Sequence, residues 1–314
     1  MNKLLISSDH HANWDALEYW FSYASKNKLP FIIPGDVVGD YNFEELAYQK
    51  GVKFPEILLE DEDNGVLRKL FNDIVKFHAK KLAGFIDKYK VKTYFLHGNH
   101  EPIYFGKEVI SYLKQKELFV DMNEHKGFIQ IGDFKVAGIS NTNQLMPYLY
   151  SVFKEDELDL MFKHQRTARP VILGVSKESL TIHPDPVEDF DWLRIMSDNN
   201  DELDIFITHG QIGRGAWRKE KFASELPTLV SAAKLSLLSK ITVDGHLHTT
   251  HTMKNVLGKP TIRAVGNKAF VVEKVDGELF VEELDSGKEY DARGKISLED
   301  LDELKSPIDK LLES

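Results

Sequence analysis

Six short runs of apolar and β-branched residues recur along this chain, and several are separated by longer stretches with helical spacing. The runs are Lys3 to Ser7, Phe31 to Pro34, Lys92 to Leu96, Lys135 to Ile139, Leu203 to Thr208 and Lys240 to Val243. Their continuous apolar character is that of buried strands. Trp14 to Ser25, Leu67 to Tyr89 and Leu226 to Leu238 space their apolar residues as helices do. This alternation of strand and helix predicts an α/β fold. After Gly245 the pattern changes: Thr261 to Val265, Ala269 to Val275 and Leu279 to Leu284 follow closely, and Asp276-Gly277 sits between the last two. An Asp-Gly pair between such runs signals a β-hairpin. A second, partly antiparallel sheet packed on the first is therefore expected.

The chain's 314 residues are 42% hydrophobic and 29% charged, enough to bury a sizeable core under a hydrated surface. No repeat or interdomain linker divides them, so one domain with insertions is expected rather than two. A formal charge of -10 gives no general attraction to nucleic acid or to anionic membranes. No apolar segment approaches the roughly 20 residues a membrane-spanning helix needs, and the stretch at Met1 to Ile6 is too short for a signal peptide. The expected compartment is the cytoplasm. The chain has no cysteine. Disulfides, thiolate metal sites and cysteine nucleophiles are excluded, and any metal must be held by nitrogen and oxygen.

Five of the predicted strands run straight into residues that can ligate a cation. They end in Ser7-Ser8-Asp9-His10-His11, Pro34-Gly35-Asp36, His97-Gly98-Asn99-His100-Glu101, Thr208-His209-Gly210 and Asp244-Gly245-His246-Leu247-His248. Strand ends in an open α/β sheet share one rim, where ligands from distant parts of a sequence can meet. Of 12 histidines, eight (His10, His11, His97, His100, His209, His246, His248 and His251) lie in or beside these segments. Imidazole and carboxylate suit zinc, manganese or iron. The glycines before Asp36, Asn99 and His246 are expected to permit tight turns. The i, i+2 spacing of Asp9 with His11, and of His246 with His248, would direct both side chains of an extended pair to one side.

In order, these motifs resemble those of the calcineurin-like metallophosphoesterase family: Asp9-x-His11, Gly35-Asp36, Gly98-Asn99-His100-Glu101, His209-Gly210 and Gly245-His246-x-His248. The resemblance runs from Leu5 to about Thr249, and it implies two packed β-sheets flanked by helices, an α/β/β/α sandwich. The residues themselves give one domain over residues 1–285, with insertions near 41–63 and 143–190 that are expected to govern access. Residues 286–314 would then be a charged, helical extension. Carried over position by position, the resemblance gives Asp9, His11 and His248 to one metal, Asn99, His209 and His246 to a second, and Asp36 as the bridge. The cofactor would be two divalent ions, manganese first, with iron, zinc or nickel as alternatives. A hydroxide bridging them would attack phosphorus in line, and His100, not a ligand, would protonate the departing oxygen. The implied activity is hydrolysis of phosphate mono- or diesters. A nuclease, for which nucleic acid would be a substrate only, and a metal-binding scaffold of the same fold are the alternatives. The number of subunits is left open.

Departures from the family pattern refine the reading. Protein phosphatases of the family carry Gly-Asp-x-x-Asp-Arg-Gly and an Arg before Gly-Asn-His-Glu. Here the stretches read Gly35-Asp36-Val37-Val38-Gly39-Asp40 and His97-Gly98-Asn99, so phosphoprotein is not the expected substrate. Gly39 removes the carboxylate that usually orients His100, and Asp40 or Glu101 are the candidates to replace it. His10, His97 and His251 are expected to hydrogen-bond the ligands or to face solvent. Asn13 reads equally as a helix cap or as a contact to substrate phosphate. In Gly210 to Lys219, Arg214 and Arg218 are placed to hold a phosphate and Trp217 to stack on a flat group. A solvated loop with its Trp turned inward is the competing reading.

Overall fold

The computed structural model describes residues 2–38, 65–98, 101, 107–139, 191–209, 235, 238–245, 251–254 and 260–288. The expected insertions at 41–63 and 143–190, and nearly all of 286–314, lie outside the described residues. So do Asn99, His100, Arg214, Arg218, His246 and His248.

Among the described residues, two six-stranded sheets form the centre. The first has the order β12(Glu278–Asp285), β11(Lys268–Val275), β1(Lys3–Ile6), β2(Phe31–Ile33), β3(Thr93–Phe95), β4(Phe119–Asp121). The second has the order β5(Ile129–Ile131), β6(Phe134–Ile139), β7(Ile205–Thr208), β8(Ile241–Asp244), β10(Pro260–Arg263), β9(His251–Lys254). In the first sheet β1 to β4 run parallel, with β11 and then β12 antiparallel at one edge. In the second, β6, β7, β8 and β10 run parallel, with β5 and β9 antiparallel at either edge.

Alternation along each strand sorts side chains into layers. Leu4, Ile6, Ile32, Phe270 and Val272 of the first sheet meet Phe134, Val136, Ile205, Ile207, Ile241, Val243 and Ile262 of the second in a shared core. The other face of the first sheet is covered by α1(Trp14–Asn27), α2(Gly65–Tyr89) and α3(Lys107–Lys114), whose Leu17, Trp20, Phe21, Leu82, Ile86, Ile110 and Leu113 pack on Leu5, Phe31, Ile33 and Phe95. The outer face of the second sheet buries Ala137, Ile139 and Phe206 against Met196 of α4(Asp191–Asp198) and against Leu235. The α/β/β/α sandwich is therefore as expected.

The partition of strands differs from the reading after Gly245. The hairpin of β11 and β12 does not start a separate sheet but extends the first one beside β1, while β10 joins the second sheet beside β8. The apolar residues of β11 explain this. Ala269 to Val272 are buried without alternation, so both faces need cover, which a place inside the helix-covered first sheet provides.

Helix α1 starts where the sequence asks it to. Asn13 Oδ1 accepts from the Ala16 amide at 3.2 Å, the N-cap geometry, so the capping reading of Asn13 is the one realised. Trp14, Leu17, Phe21 and Ala24 then form a buried stripe, and Trp20 donates its indole N–H to the Gly266 carbonyl at 2.8 Å.

Candidate metal centre

The segment after β1 and the segment after β2 leave their strands side by side and stay hydrogen-bonded. The amides of Asp9, His11 and Ala12 donate to the carbonyls of Gly35, Asp36 and Val37 at 3.1, 2.9 and 2.8 Å. This continued pairing aligns the two ligand-bearing turns. Asp9 and His11 are not an extended pair, however. Asp9, His11, Ala12 and Asp36 have φ of 54, 44, 58 and 51°. Left-handed backbone costs a non-glycine residue roughly 1–2 kcal/mol, more readily tolerated by Asp and His than by Ala. Successive tight turns, and not the alternation of a strand, bring these side chains together. Such strain persists only where surrounding contacts over-determine it, and it concentrates at functional sites.

Asp9, His11 and Asp36 each offer a ligand atom within 4.8 Å of the others, and all three residues are buried. His209, just past the end of β7, joins them from the second sheet. Its Nε2 lies 2.9 Å from Asp36 Oδ2, and His11 Nε2 lies 3.8 Å from the same oxygen. The other nitrogen of His209, Nδ1, is 3.0 Å from the Pro34 carbonyl. A proton on Nδ1 donated to that oxygen fixes the ring so that Nε2 faces Asp36, the arrangement by which metal-binding histidines are oriented. Four of the seven expected ligands are thus assembled from two sheets, and the other three lie outside the described residues. The donors present suit a divalent cation of borderline hardness: carboxylate oxygens and imidazole nitrogens, held away from water in a chain without thiols.

Glycines make this proximity possible through absent volume. A Cβ on Gly98 would collide with the Asp36 carboxylate, and one on Gly245 would lie 2.5 Å from Asp9 Oδ2 and 2.8 Å from Ser8 Oγ. Neither glycine needs a special backbone angle. Gly35 needs both, since its φ is 113° and its Cβ would lie 2.8 Å from His209 Nδ1. The expectation that all three serve tight turns is corrected accordingly: two of them serve close approach.

Glu101 has a task that the sequence reading did not assign. Its carboxylate is buried and accepts backbone N–H groups from Gly98 and Asp36 on Oε2, at 2.6 and 2.9 Å, and from Val37 and Val38 on Oε1, at 2.7 and 3.4 Å. Both oxygens are engaged in clamping the Asp36 turn to the Gly98 turn, and His100, which Glu101 was a candidate to orient, lies outside the described residues. Asp40 lies outside the described residues. Sequence held one usable signal, because Gly98-x-x-Glu101 has the spacing of a capping box, in which a Glu reaches back to an amide three residues earlier.

The electrostatics are those of crowded negative charge. Burial, and then the charge of Asp36, push the Glu101 carboxyl up to about 7, although the amides of Asp36 and Gly98 oppose this. Burial alone would lower His209, but Asp36, Asp9 and Glu101 overcome it and raise the imidazole to about 10. The field around Asp36 therefore favours a cation. His10 is completely buried, which rules out the solvent-facing option and pushes its imidazole down to about 3. His97 leans toward the end of β4, with Nε2 3.8 Å from Asp121 Oδ1. The side chain of His251 lies outside the described residues.

Comparison with known proteins agrees with this geometry. The calcineurin-like phosphoesterase model matches residues 3–268, so the chain belongs to that family and is a phosphoesterase. Among curated proteins none matches. Among solved structures, a dimetal phosphatase from Danio rerio superposes with a TM-score of 0.53 at 10% identity, covering 91% of this chain and 96% of that one. At that identity the likeness concerns the fold. A 5'-nucleotidase precursor from Thermus thermophilus aligns with a TM-score of 0.40 at 12% identity, over 99% of this chain and 59% of that one. No helix among the described residues is long and apolar enough to cross a membrane.

Proposed function

We propose that the chain hydrolyses phosphate mono- or diesters with a binuclear metal centre at the convergence of the two sheets. The observation that carries this is the buried cluster of Asp9, His11 and Asp36, with His209 facing Asp36 at 2.9 Å. In the proposal Asp9, His11 and His248 hold one ion, Asn99, His209 and His246 hold the other, and Asp36 supplies the anionic link that two adjacent cations require. A bound pair of divalent ions, manganese first, supplies Lewis-acid polarisation of a phosphoryl oxygen and a nucleophile at neutral pH. The remaining work falls to the chain. The Pro34 carbonyl fixes the ring of His209, and Glu101 fixes the backbone that presents Asp36. His100 protonates the leaving oxygen, and Arg214 and Arg218 hold phosphate oxygens. A cytoplasmic site of action belongs to the same reading and is checked by cell fractionation.

The test is hydrolysis of p-nitrophenyl phosphate and bis-p-nitrophenyl phosphate by the purified chain with manganese. Turnover is expected on at least one of them. His100→Ala is expected to lower kcat by about 100-fold or more with manganese content unchanged. Loss of metal together with activity would make His100 a ligand. Metal uptake without turnover of any phosphoester in a broader panel of nucleotides, cyclic nucleotides and DNA would favour the scaffold.

A further inference from the structure

The segment 245–250, which carries His246 and His248, joins Asp244, the last residue of β8, to His251, the first residue of β9. Those strands are not neighbours, because β10 lies between them. Arg263, the last residue of β10, is the register partner of Asp244 on one side and of His251 on the other. One residue thus stands between both roots of the segment.

Arg263 is only 2% exposed, and its Nε and Nη2 donate to Asp244 Oδ1 and Oδ2, each at 2.6 Å. Val243 and Ile262, the preceding residues on the two strands, point into the core shared by the sheets. By alternation Asp244 and Arg263 point to the opposite face. Desolvating two charges is costly, and a well-packed apolar pair would hold two strands together as well or better. What a bidentate guanidinium and carboxylate add is direction, since two parallel N–H···O bonds fix the carboxylate plane as well as its distance.

The next residue along shows why direction matters here. The Gly245 amide donates to the His209 carbonyl at 3.0 Å, and a Cβ on Gly245 would lie 2.5 Å from Asp9 Oδ2. Gly245 thus meets two residues of the candidate centre, so a shift at Asp244 reaches His209 and Asp9 through one residue. We infer that Arg263 is a positioning residue of the metal centre, acting through Asp244 and Gly245 on His209 and Asp9. This inference rests on the proposed ligand role of those two residues.

The test uses the full chain and three variants: Arg263→Met, Arg263→Lys, and Asp244→Leu combined with Arg263→Met. Manganese affinity is measured by calorimetry, and amide exchange over 244–251 is measured in chelator. Arg263→Met is expected to weaken manganese binding at least about tenfold, as loss of a group that orients ligands does, and to speed exchange over 244–251. Arg263→Lys, which keeps the charge without the fork, is expected to lose affinity as well, and it serves if Arg263→Met does not fold. The double variant removes both buried charges and is expected to regain thermal stability without regaining affinity. Recovery of both in the double variant makes the pair mere support and overturns the inference. A folded Arg263→Lys or Arg263→Met with wild-type affinity and exchange overturns it too, while leaving the metal reading standing. A wild-type chain that takes up no manganese defeats the metal reading itself, and this inference with it.

Discussion

Asp36 and Asp244 are both buried carboxylates near the end of a parallel strand, yet their surroundings differ in kind. Asp244 faces a guanidinium through two charge-assisted bonds, and the pair is neutral. Asp36 faces the imidazoles of His209 and His11, in the company of Asp9 and of Glu101, whose charge is spent on backbone amides. Compensated charge ties strands together, whereas carboxylates gathered around imidazoles create a place where a cation lowers the energy. The same residue type in the same topological position has a structural task in one case and a chemical one in the other.

Neutralising each carboxylate separates the two tasks most widely. Asp244→Asn is expected to cost about 3–5 kcal/mol of stability, with or without metal, because it breaks a buried ion pair. Asp36→Asn is expected to lower manganese affinity by more than about 100-fold, beyond what loss of an outer partner does, with little loss of stability in chelator. Thermal unfolding and calorimetry on both variants check this, and the comparison breaks if the two profiles coincide.

Glycine substitutions sharpen it further. Gly98→Ala puts a methyl group against the Asp36 carboxylate and is expected to weaken manganese binding by roughly tenfold to 100-fold without altering any ligand. Gly84→Ala in α2 has open space around its Cβ, and is expected to stabilise the chain by roughly 0.5–1 kcal/mol through helix propensity while leaving metal affinity alone. Equal effects in the two variants would show that the crowding around Asp36 is of no consequence.

Two buried imidazoles extend the contrast to pH. His209 sits among carboxylates and is raised. His78, buried in α2 against Trp14 with ring centroids 5.3 Å apart, is pushed by burial from 6.5 down to about 3. Between those values the unfolded chain binds a proton that the folded chain does not. Stability in chelator therefore falls as pH drops from 6.5 toward 3, by about 1.4 kcal/mol per pH unit from this residue. Above 6.5 the contribution is flat. His78→Leu is expected to flatten the acid limb of a plot of stability against pH, and an unchanged slope between pH 6 and 4 would refute the assignment. A modest effect is expected at Asn13→Ala, about 1 kcal/mol of stability from a lost N-cap, with KM for substrate unchanged. A rise in KM would return Asn13 to the substrate.

What could be read from the sequence follows from what burial imprints on it. Strands covered on both faces, such as Ile205–Thr208 and Ile241–Asp244, leave a continuous apolar run, and each was legible. The strands Phe119–Asp121, Ile129–Ile131 and His251–Lys254 were not, because all three lie at sheet edges and are too short or too polar to leave such a run. The hairpin was legible from Asp276-Gly277, but which sheet it joins depends on a pairing with residues near the N-terminus that no local pattern encodes. In the candidate centre, Asp9, His11, Asp36 and His209 could be named from strand-end chemistry, whereas the left-handed turns that bring them together could not, since Asp and His visit positive φ only occasionally and Ala rarely. The pairing of Asp244 with Arg263 joins residues 19 apart through strand register alone, and their types gave no warning of it.

The most direct measurement is the anomalous scattering of manganese in crystals of the full chain grown with the ion in excess. Two peaks roughly 3.5–4 Å apart, with the Asp36 carboxylate between them and Asp9, His11 and His209 in contact, are the expected result. A map with no peak among these residues, or with a single ion that Asp36 does not touch, would contradict the binuclear centre and the hydrolytic chemistry built on it.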